Sequence, residues 1–234
     1  AGKTLKSQRG YLSDTDENRA KEIMEMFTNP NINGILAMRG GSGCARVLPF
    51  LDYDVIKQNC KAFIGMSDVT VLLTAFYTKA EMTSFHGPVG YSTWSDFTKK
   101  FFTETLFDKK ETEMLTPADS DFYTINEGVS QGQLIGGNLT VFSQLVGTPY
   151  LPDMNGKLLF IEDINEEPYR IDRMLMQLKL AGILSQVHGI IIGECRKCAP
   201  EDLEKSLSLK QVFQDHLSNL NIPVFYGAKF GHIK

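Results

Sequence analysis

The sequence predicts an α/β protein with parallel sheet covered by helices on both faces. Three observations lead there. Short apolar runs alternate with longer helical patterns along the chain. The runs 34–38, 62–65, 158–161 and 189–193 are continuously apolar rather than alternating, as in strands buried on both faces. Glycine-rich or serine-bearing turns follow two of them directly, at Arg39-Gly40-Gly41-Ser42-Gly43 and at Ser67. Ligands of such sheets bind at the carboxyl ends of the strands.

The elements follow in order. Asp14-Thr15-Asp16-Glu17 opens a helix, with a capping residue and acids in the first turn. Ala20, Ile23, Met24 and Phe27 keep helical spacing, and Asn29-Pro30-Asn31 ends it. After strand 34–38 and the glycine turn, 45–51 reads as helical. Strand 62–65, helix 68–79 and a strand and turn over 83–88 follow. Residues 92–128 change character. They carry Trp94, Phe97, Phe101, Phe102 and Phe107 among lysines and acids, then Thr116-Pro117-Ala118-Asp119-Ser120-Asp121. They read as a helix and a loop joining two domains. Aromatics there are more often packing than ligand contacts, with Trp94 the candidate for lining a site. A second α/β unit begins at Gly132-Gln133-Leu134-Ile135-Gly136-Gly137-Asn138-Leu139. Strand 157–161, helix 170–182, strand 188–193, helix 207–218 and strand 222–226 complete it. The expected domains are 1–91 and 129–234, connected by 92–128.

Composition narrows the classes. At 234 residues the chain can bury one large core or two smaller ones, and 42% hydrophobic with 22% charged residues is ordinary for a soluble globular protein. A net charge of −4 with scattered lysines and arginines argues against a nucleic-acid surface. No apolar run approaches the roughly 18 residues of a membrane span. Cys195 and Cys198 form a lone Cys-x-x-Cys, and Cys44 and Cys60 lie elsewhere, so the second pair of a structural zinc site is missing. Unligated thiols suit a reducing compartment, and the cytoplasm is the expected address; a disulfide or redox role for the pair is the competing reading. The first residues are no signal peptide, and no strand precedes the first helical pattern. The chain therefore reads as a piece of a longer protein, which leaves room for a removed signal.

The chemistry centres on turns. Ser67 stands directly after an apolar strand and before a helix, with Gly65 two residues back: the layout of a nucleophile elbow, whose sharp turn exposes a hydroxyl at a helix start and demands a small neighbour. Val69 stands where the fuller pattern has a second glycine, and an N-cap is the plainer role for Ser67. The turn at Arg39 to Gly43 supplies amides able to approach a ligand closely. With the amide of Asp68, that of Gly41 or Gly40 would make an oxyanion hole. A phosphate cradle is weakened by the lack of a Gly-Lys-Ser/Thr ending. Glu162 ends the strand before it and is placed to orient a histidine, but Asp163, Glu166 and Glu167 compete, the last two also as a helix start. His232 and His86 both lie near strand ends and spacing does not separate them; His188 and His216 read as structural.

Together these stretches resemble the LD-carboxypeptidases, the family that includes the microcin-immunity peptidases. The likeness runs from Gly10-Tyr11 and Asp16-Glu17-Asn18-Arg19-Ala20 through Met38-Arg39-Gly40-Gly41-Ser42-Gly43 and Phe63-Ile64-Gly65-Met66-Ser67-Asp68-Val69-Thr70. It continues through Phe85-His86-Gly87-Pro88, Ile135-Gly136-Gly137-Asn138-Leu139 and Gly147-Thr148-Pro149-Tyr150. Phe160-Ile161-Glu162-Asp163, Tyr169-Arg170-Ile171-Asp172-Arg173-Met174-Leu175 and Phe230-Gly231-His232 complete it. The resemblance implies a flavodoxin-like N-terminal domain and a smaller C-terminal α/β domain, with the catalytic site at their junction. It implies a Ser67–Glu162–His232 triad and an oxyanion hole made by the Asp68 amide with a glycine of Arg39-Gly40-Gly41, taken as Gly41. Arg39, Gly40, Asn138 and Trp94 are the candidate substrate contacts. The resemblance implies neither metal nor organic cofactor, and commonly a homodimer. Family members usually have one more strand and helix before Gly2 and a further strand region after Phe-Gly-His. They often carry tyrosine where Ser42 stands, a change at the rim of the substrate cleft.

The expected function is therefore serine-type hydrolysis of an amide between an L- and a D-configured centre, with murein tetrapeptide as the substrate. Cleavage of a peptidyl- or aminoacyl-nucleotide of the microcin type is the alternative, the aromatic segment then stacking a base. A wall-peptide binder that no longer cuts is the rival from outside the enzymes. Partners on any of these readings are small peptides, not nucleic acid or membrane.

Overall fold

The computed structural model describes residues 2–111 and 122–233, so the Thr116 to Asp121 stretch of the expected connection lies outside the described residues. The chain forms two compact units: residues 1–109 with 149–152, and residues 110–148 with 153–234.

The first unit holds a three-stranded parallel sheet in the order β1 (Gly34–Leu36), β2 (Ala62–Gly65), β3 (Phe85–His86). Its helices are α1 (Asp16–Thr28), α2 (Tyr53–Gln58), α3 (Thr70–Ala80) and α4 (Asp96–Leu106). Thr15 caps α1 by accepting from the Asn18 amide at 3.2 Å, and Asp16 and Glu17 fill its first turn. Helix α3 buries every residue from Thr70 to Phe76, because its sequence is apolar on all sides. Phe76 meets Phe27 and Phe63 edge-on, with ring centroids 5.4 and 4.9 Å apart. These three buried rings pin α1 and α3 to β2, each worth about 1.5–3 kcal/mol of apolar burial. The segment expected to be helical after the glycine turn is a 3-10 helix, Cys44–Phe50, interrupted by Pro49. Helix α4 has no fully buried residue.

The second unit is a five-stranded sheet ordered β4-β8-β7-β6-β5: β4 (Tyr123–Asn126), β5 (Leu134–Asn138), β6 (Leu158–Ile164), β7 (Gly189–Arg196) and β8 (Val224–Ala228). Strands β5 to β8 are mutually parallel and β4 is antiparallel to β8. Strand β4 falls in the stretch expected to be loop. Its Tyr123 stacks on Tyr226 of β8 at 5.0 Å, a cross-strand pair that supplies what the short run lacks by itself. Helices α5 (Leu139–Ser143), α6 (Pro168–Leu180) and α7 (Leu209–Leu217) pack on this sheet; α6 buries Ile171, Leu175 and Leu178 at helical spacing. The His216 ring of α7 sits 2.6 Å from Asp172 of α6, which ties the two helices together. Among the described residues no helix is long and apolar enough to cross a membrane.

Candidate active site

In the first unit the chain leaves β2 at Gly65, runs extended through Met66, and turns at Ser67 with φ +62° into a single 3-10 turn, Ser67–Val69, that leads into α3. A left-handed φ is costly for a residue with a Cβ, so the turn is held by its surroundings rather than by preference. Gly65 is part of that support. A Cβ there would lie 2.6 Å from Val69 Cγ1 and 3.2 Å from Ala37 Cβ. The small residue is thus obligatory, and Val69, where the elbow pattern has glycine, fills the space over it.

The glycine turn lies against the serine. A Cβ at Gly40 would stand 2.7 Å from Ser67 Cβ, 2.9 Å from its Oγ and 3.4 Å from the Asp68 nitrogen. Gly41 and Gly43 both take φ +108°, and the Arg39 guanidinium folds back over Gly41. Two tethers fix this turn. The buried Asp68 carboxylate accepts from the Cys44 amide at 2.8 Å, and Arg19 of α1 donates to the Gly43 carbonyl at 3.0 Å. Sequence reasoning credited only the Asp68 amide and missed its side chain; an acid directly after the serine was the available signal. Burial, then the Asp68 charge, pushes the Cys44 thiol well up, so it is an unreactive packing group.

In the second unit Glu162 is fully buried on β6, opposite Asn138 of β5 in register. Its Oε2 lies 2.6 Å from His232 Nδ1 and accepts from the His232 backbone nitrogen at 3.2 Å. A carboxylate at Nδ1 assigns the proton to that nitrogen and leaves the lone pair on Nε2. Gly231 makes the approach possible: its φ is +103°, and a Cβ would fall 2.7 Å from Glu162 Oε2. Phe230 anchors the same segment, its ring 5.7 Å from Phe160 and seated where Gly193 leaves room.

The competing residues sort themselves by their partners. Asp163 accepts from Asn138 Nδ2, the Thr140 amide and hydroxyl and the Ile164 amide. Burial nevertheless holds its carboxyl above the ordinary range, against those four donors. Asn138 also caps α5, accepting from the Val141 amide at 3.2 Å, so its amide is committed on both sides. Glu166 pairs with Arg170 at 3.6 Å and Glu167 accepts from the Glu201 amide, as helix-start residues. His86 sits on β3 beside Gly65, and Trp94 packs edge-on against Phe102 at 4.9 Å. Among the described residues no three His, Cys, Asp or Glu side chains converge as they would around a metal ion.

A left-handed serine at a strand-to-helix turn, in one unit, and a buried carboxylate–imidazole pair, in the other, are the parts of a hydrolase. The profile of the LD-carboxypeptidase N-terminal domain matches residues 1–87 and that of the LD-carboxypeptidase C-terminal domain matches residues 131–234. A "Probable murein peptide carboxypeptidase" of Bacillus subtilis (strain 168) is 40% identical over 239 residues, covering 99% of this chain and 73% of its own. Microcin C7 self-immunity protein MccF of Escherichia coli is 32% identical, covering 99% of this chain and 76% of its own. Two solved structures agree in fold. That of muramoyltetrapeptide carboxypeptidase from Oxalobacter formigenes has a TM-score of 0.81 at 33% identity, covering 97% of this chain and 79% of its own. That of MccF in complex with glutamyl sulfamoyl guanosine has 0.87 at 27% identity, covering 99% and 77%. The chain belongs to the LD-carboxypeptidase family.

Proposed function

We propose that this protein is a serine carboxypeptidase that removes the terminal D-alanine of murein tetrapeptide, cutting the amide between an L- and a D-configured centre. The observation that carries the reading is the 2.6 Å pairing of His232 with a fully buried Glu162, a base held in one tautomer. The left-handed turn at Ser67 supports a nucleophile whose hydroxyl is raised out of the helix. On this reading Ser67 Oγ attacks the carbonyl carbon as His232 Nε2 takes its proton. The oxyanion that forms is received by the Asp68 and Gly41 amides. His232 then protonates the leaving D-alanine nitrogen, and water, activated by the same imidazole, releases the acyl group from Ser67. Glu162 stabilises the imidazolium that forms on His232. Arg39 and Gly40 contact the peptide, and Asn138 acts by keeping the end of β5 in place beside Glu162.

A second substrate class has its own support. The likeness to MccF is as close in fold as that to the muramoyltetrapeptide enzyme. The segment around Trp94 also exposes Tyr91 and Phe97, rings able to stack a base. The test is mass spectrometry of purified murein tetrapeptide, and in parallel an aminoacyl sulfamoyl-adenosine, after incubation with the protein and with Ser67→Ala. Loss of one alanine from the tetrapeptide with the wild type alone is expected. Cleavage only of the nucleotide would move the assignment to the self-immunity class. Turnover by Ser67→Ala would sink the serine mechanism on either substrate.

A further inference from the structure

His232 lies four residues beyond the end of β8, on a segment without regular secondary structure. A base on such a segment holds its aim only if its peptide planes are tethered. One tether is Glu162, which takes both the ring and the backbone nitrogen. A second acts from the other side: Arg196 Nη1 donates to the His232 carbonyl at 3.2 Å.

Arg196 is itself fixed. It is the last residue of β7 and pairs in register with Ile164, two residues past Glu162 on β6. Its carbonyl accepts from the Asn165 amide at 2.9 Å. The contacts form a closed circuit: Glu162 to His232, the His232 carbonyl to the Arg196 guanidinium, the Arg196 backbone to Asn165, and β6 back to Glu162. The strand that carries the acid thereby also grips the far side of the base. Arginine suits this place because its planar fork reaches across while its backbone stays in the ladder.

We propose that Arg196 is the positioning residue for His232, keeping Nε2 aimed where the nucleophile's proton must be taken. The inference rests on the hydrolase reading above and deepens it. On this proposal Arg196 acts through the peptide plane that follows the imidazole rather than on the reacting atoms.

The test compares wild type, Arg196→Met, which keeps the apolar stem, and Arg196→Lys, which keeps a charged donor. Three quantities are read: kcat and KM on murein tetrapeptide, the thermal midpoint, and the low-field proton NMR signal of the His232 ring N–H facing Glu162. Arg196→Met is expected to lower kcat roughly 10- to 100-fold, since small misplacements of a base are that costly. KM should stay within about twofold, because ground-state binding is untouched. The low-field signal should broaden or move, and Arg196→Lys should recover part of both. A wild-type kcat together with an unchanged low-field proton in Arg196→Met overturns the proposal. Should Arg196→Met unfold, Arg196→Gln, with a shorter N–H donor, is judged by the same criteria. The two readings fail separately. Wild-type protein that cleaves nothing but shows a ring proton sensitive to Arg196→Met loses the hydrolase assignment and keeps the brace.

Discussion

Glu162 Oε2 receives His232 twice, from the ring at 2.6 Å and from the backbone at 3.2 Å, so one buried oxygen sets both the rotamer and the tautomer of the imidazole. Glu162→Gln keeps the volume but offers an amide to the same ring, and the histidine must turn or change tautomer. The expected result is a fall in kcat of roughly 10³- to 10⁴-fold with the fold retained, as when a triad carboxylate becomes an amide. Steady-state kinetics on murein tetrapeptide, with circular dichroism as the control, decide it. An unchanged kcat would remove Glu162 from the mechanism.

Ser67 carries a Cβ at φ +62°, and this cost should be measurable. Ser67→Ala and Ser67→Gly both lose the hydroxyl and should both be inactive. Only glycine relieves the backbone, so Ser67→Gly should be about 1 kcal/mol more stable than Ser67→Ala in denaturant unfolding. Equal stabilities would mean that the turn is not left-handed in solution.

Gly40 tests the approach of the two turns with Ser67, Glu162 and His232 left in place. Its φ lies outside the left-handed region, so alanine brings no backbone strain, only a methyl 2.7 Å from Ser67 Cβ and 2.9 Å from Oγ. The serine rotamer or the turn must yield. Gly40→Ala is expected to lower kcat/KM by roughly 10- to 100-fold. Its thermal midpoint should shift little, because the Asp68–Cys44 and Arg19–Gly43 tethers remain. Full activity in this variant would show that the Gly40 turn stands farther from Ser67 than described.

What could be read from the sequence was what local rules govern. The apolar runs that became β2, β6 and β7 needed only burial, and the capping signal at Thr15 needed only its own helix. The run at 34–38 formed a shorter strand, β1, that buries Ile35 alone and leaves Leu36 exposed, because the expected burial on both faces is not met there. Ser67 as a candidate followed from its place between strand and helix. The roles decided by partners distant in sequence were not legible from spacing. By position alone Asp163 looked as good as Glu162 and His86 as good as His232. The family resemblance chose Glu162 and His232, and the structure shows the contacts behind the difference: Asp163 is held by Asn138 and Thr140, and Glu162 faces the His232 ring. Strand β4 was missed because its stability comes from Tyr226 and β8, about a hundred residues on. Gly231 was legible in retrospect: a glycine directly before a candidate base is a place where a neighbour comes close.

Asp163 gives a pH signature of the second unit, and the sign follows from its burial. Its carboxyl lies above the ordinary 3.8, burial outweighing the four donors around it. Between 3.8 and that raised value the folded protein holds a proton that the unfolded chain has released, so stability falls as pH rises through this window. The favourable contribution is whole below the unfolded value and is gone above the folded one. Asp163→Asn does not titrate and serves as the reference. It is also weaker at neutral pH. Its single carbonyl oxygen must stand in for two, which leaves the Thr140 amide or hydroxyl without an acceptor at a cost of about 1–3 kcal/mol. Urea unfolding of both proteins from pH 3.5 to 7 should give a wild-type advantage that shrinks with rising pH across the window and then levels off. An advantage that grows instead would mean that the four donors prevail over burial and hold the carboxyl below 3.8, with Asp163 ionised in the folded protein throughout.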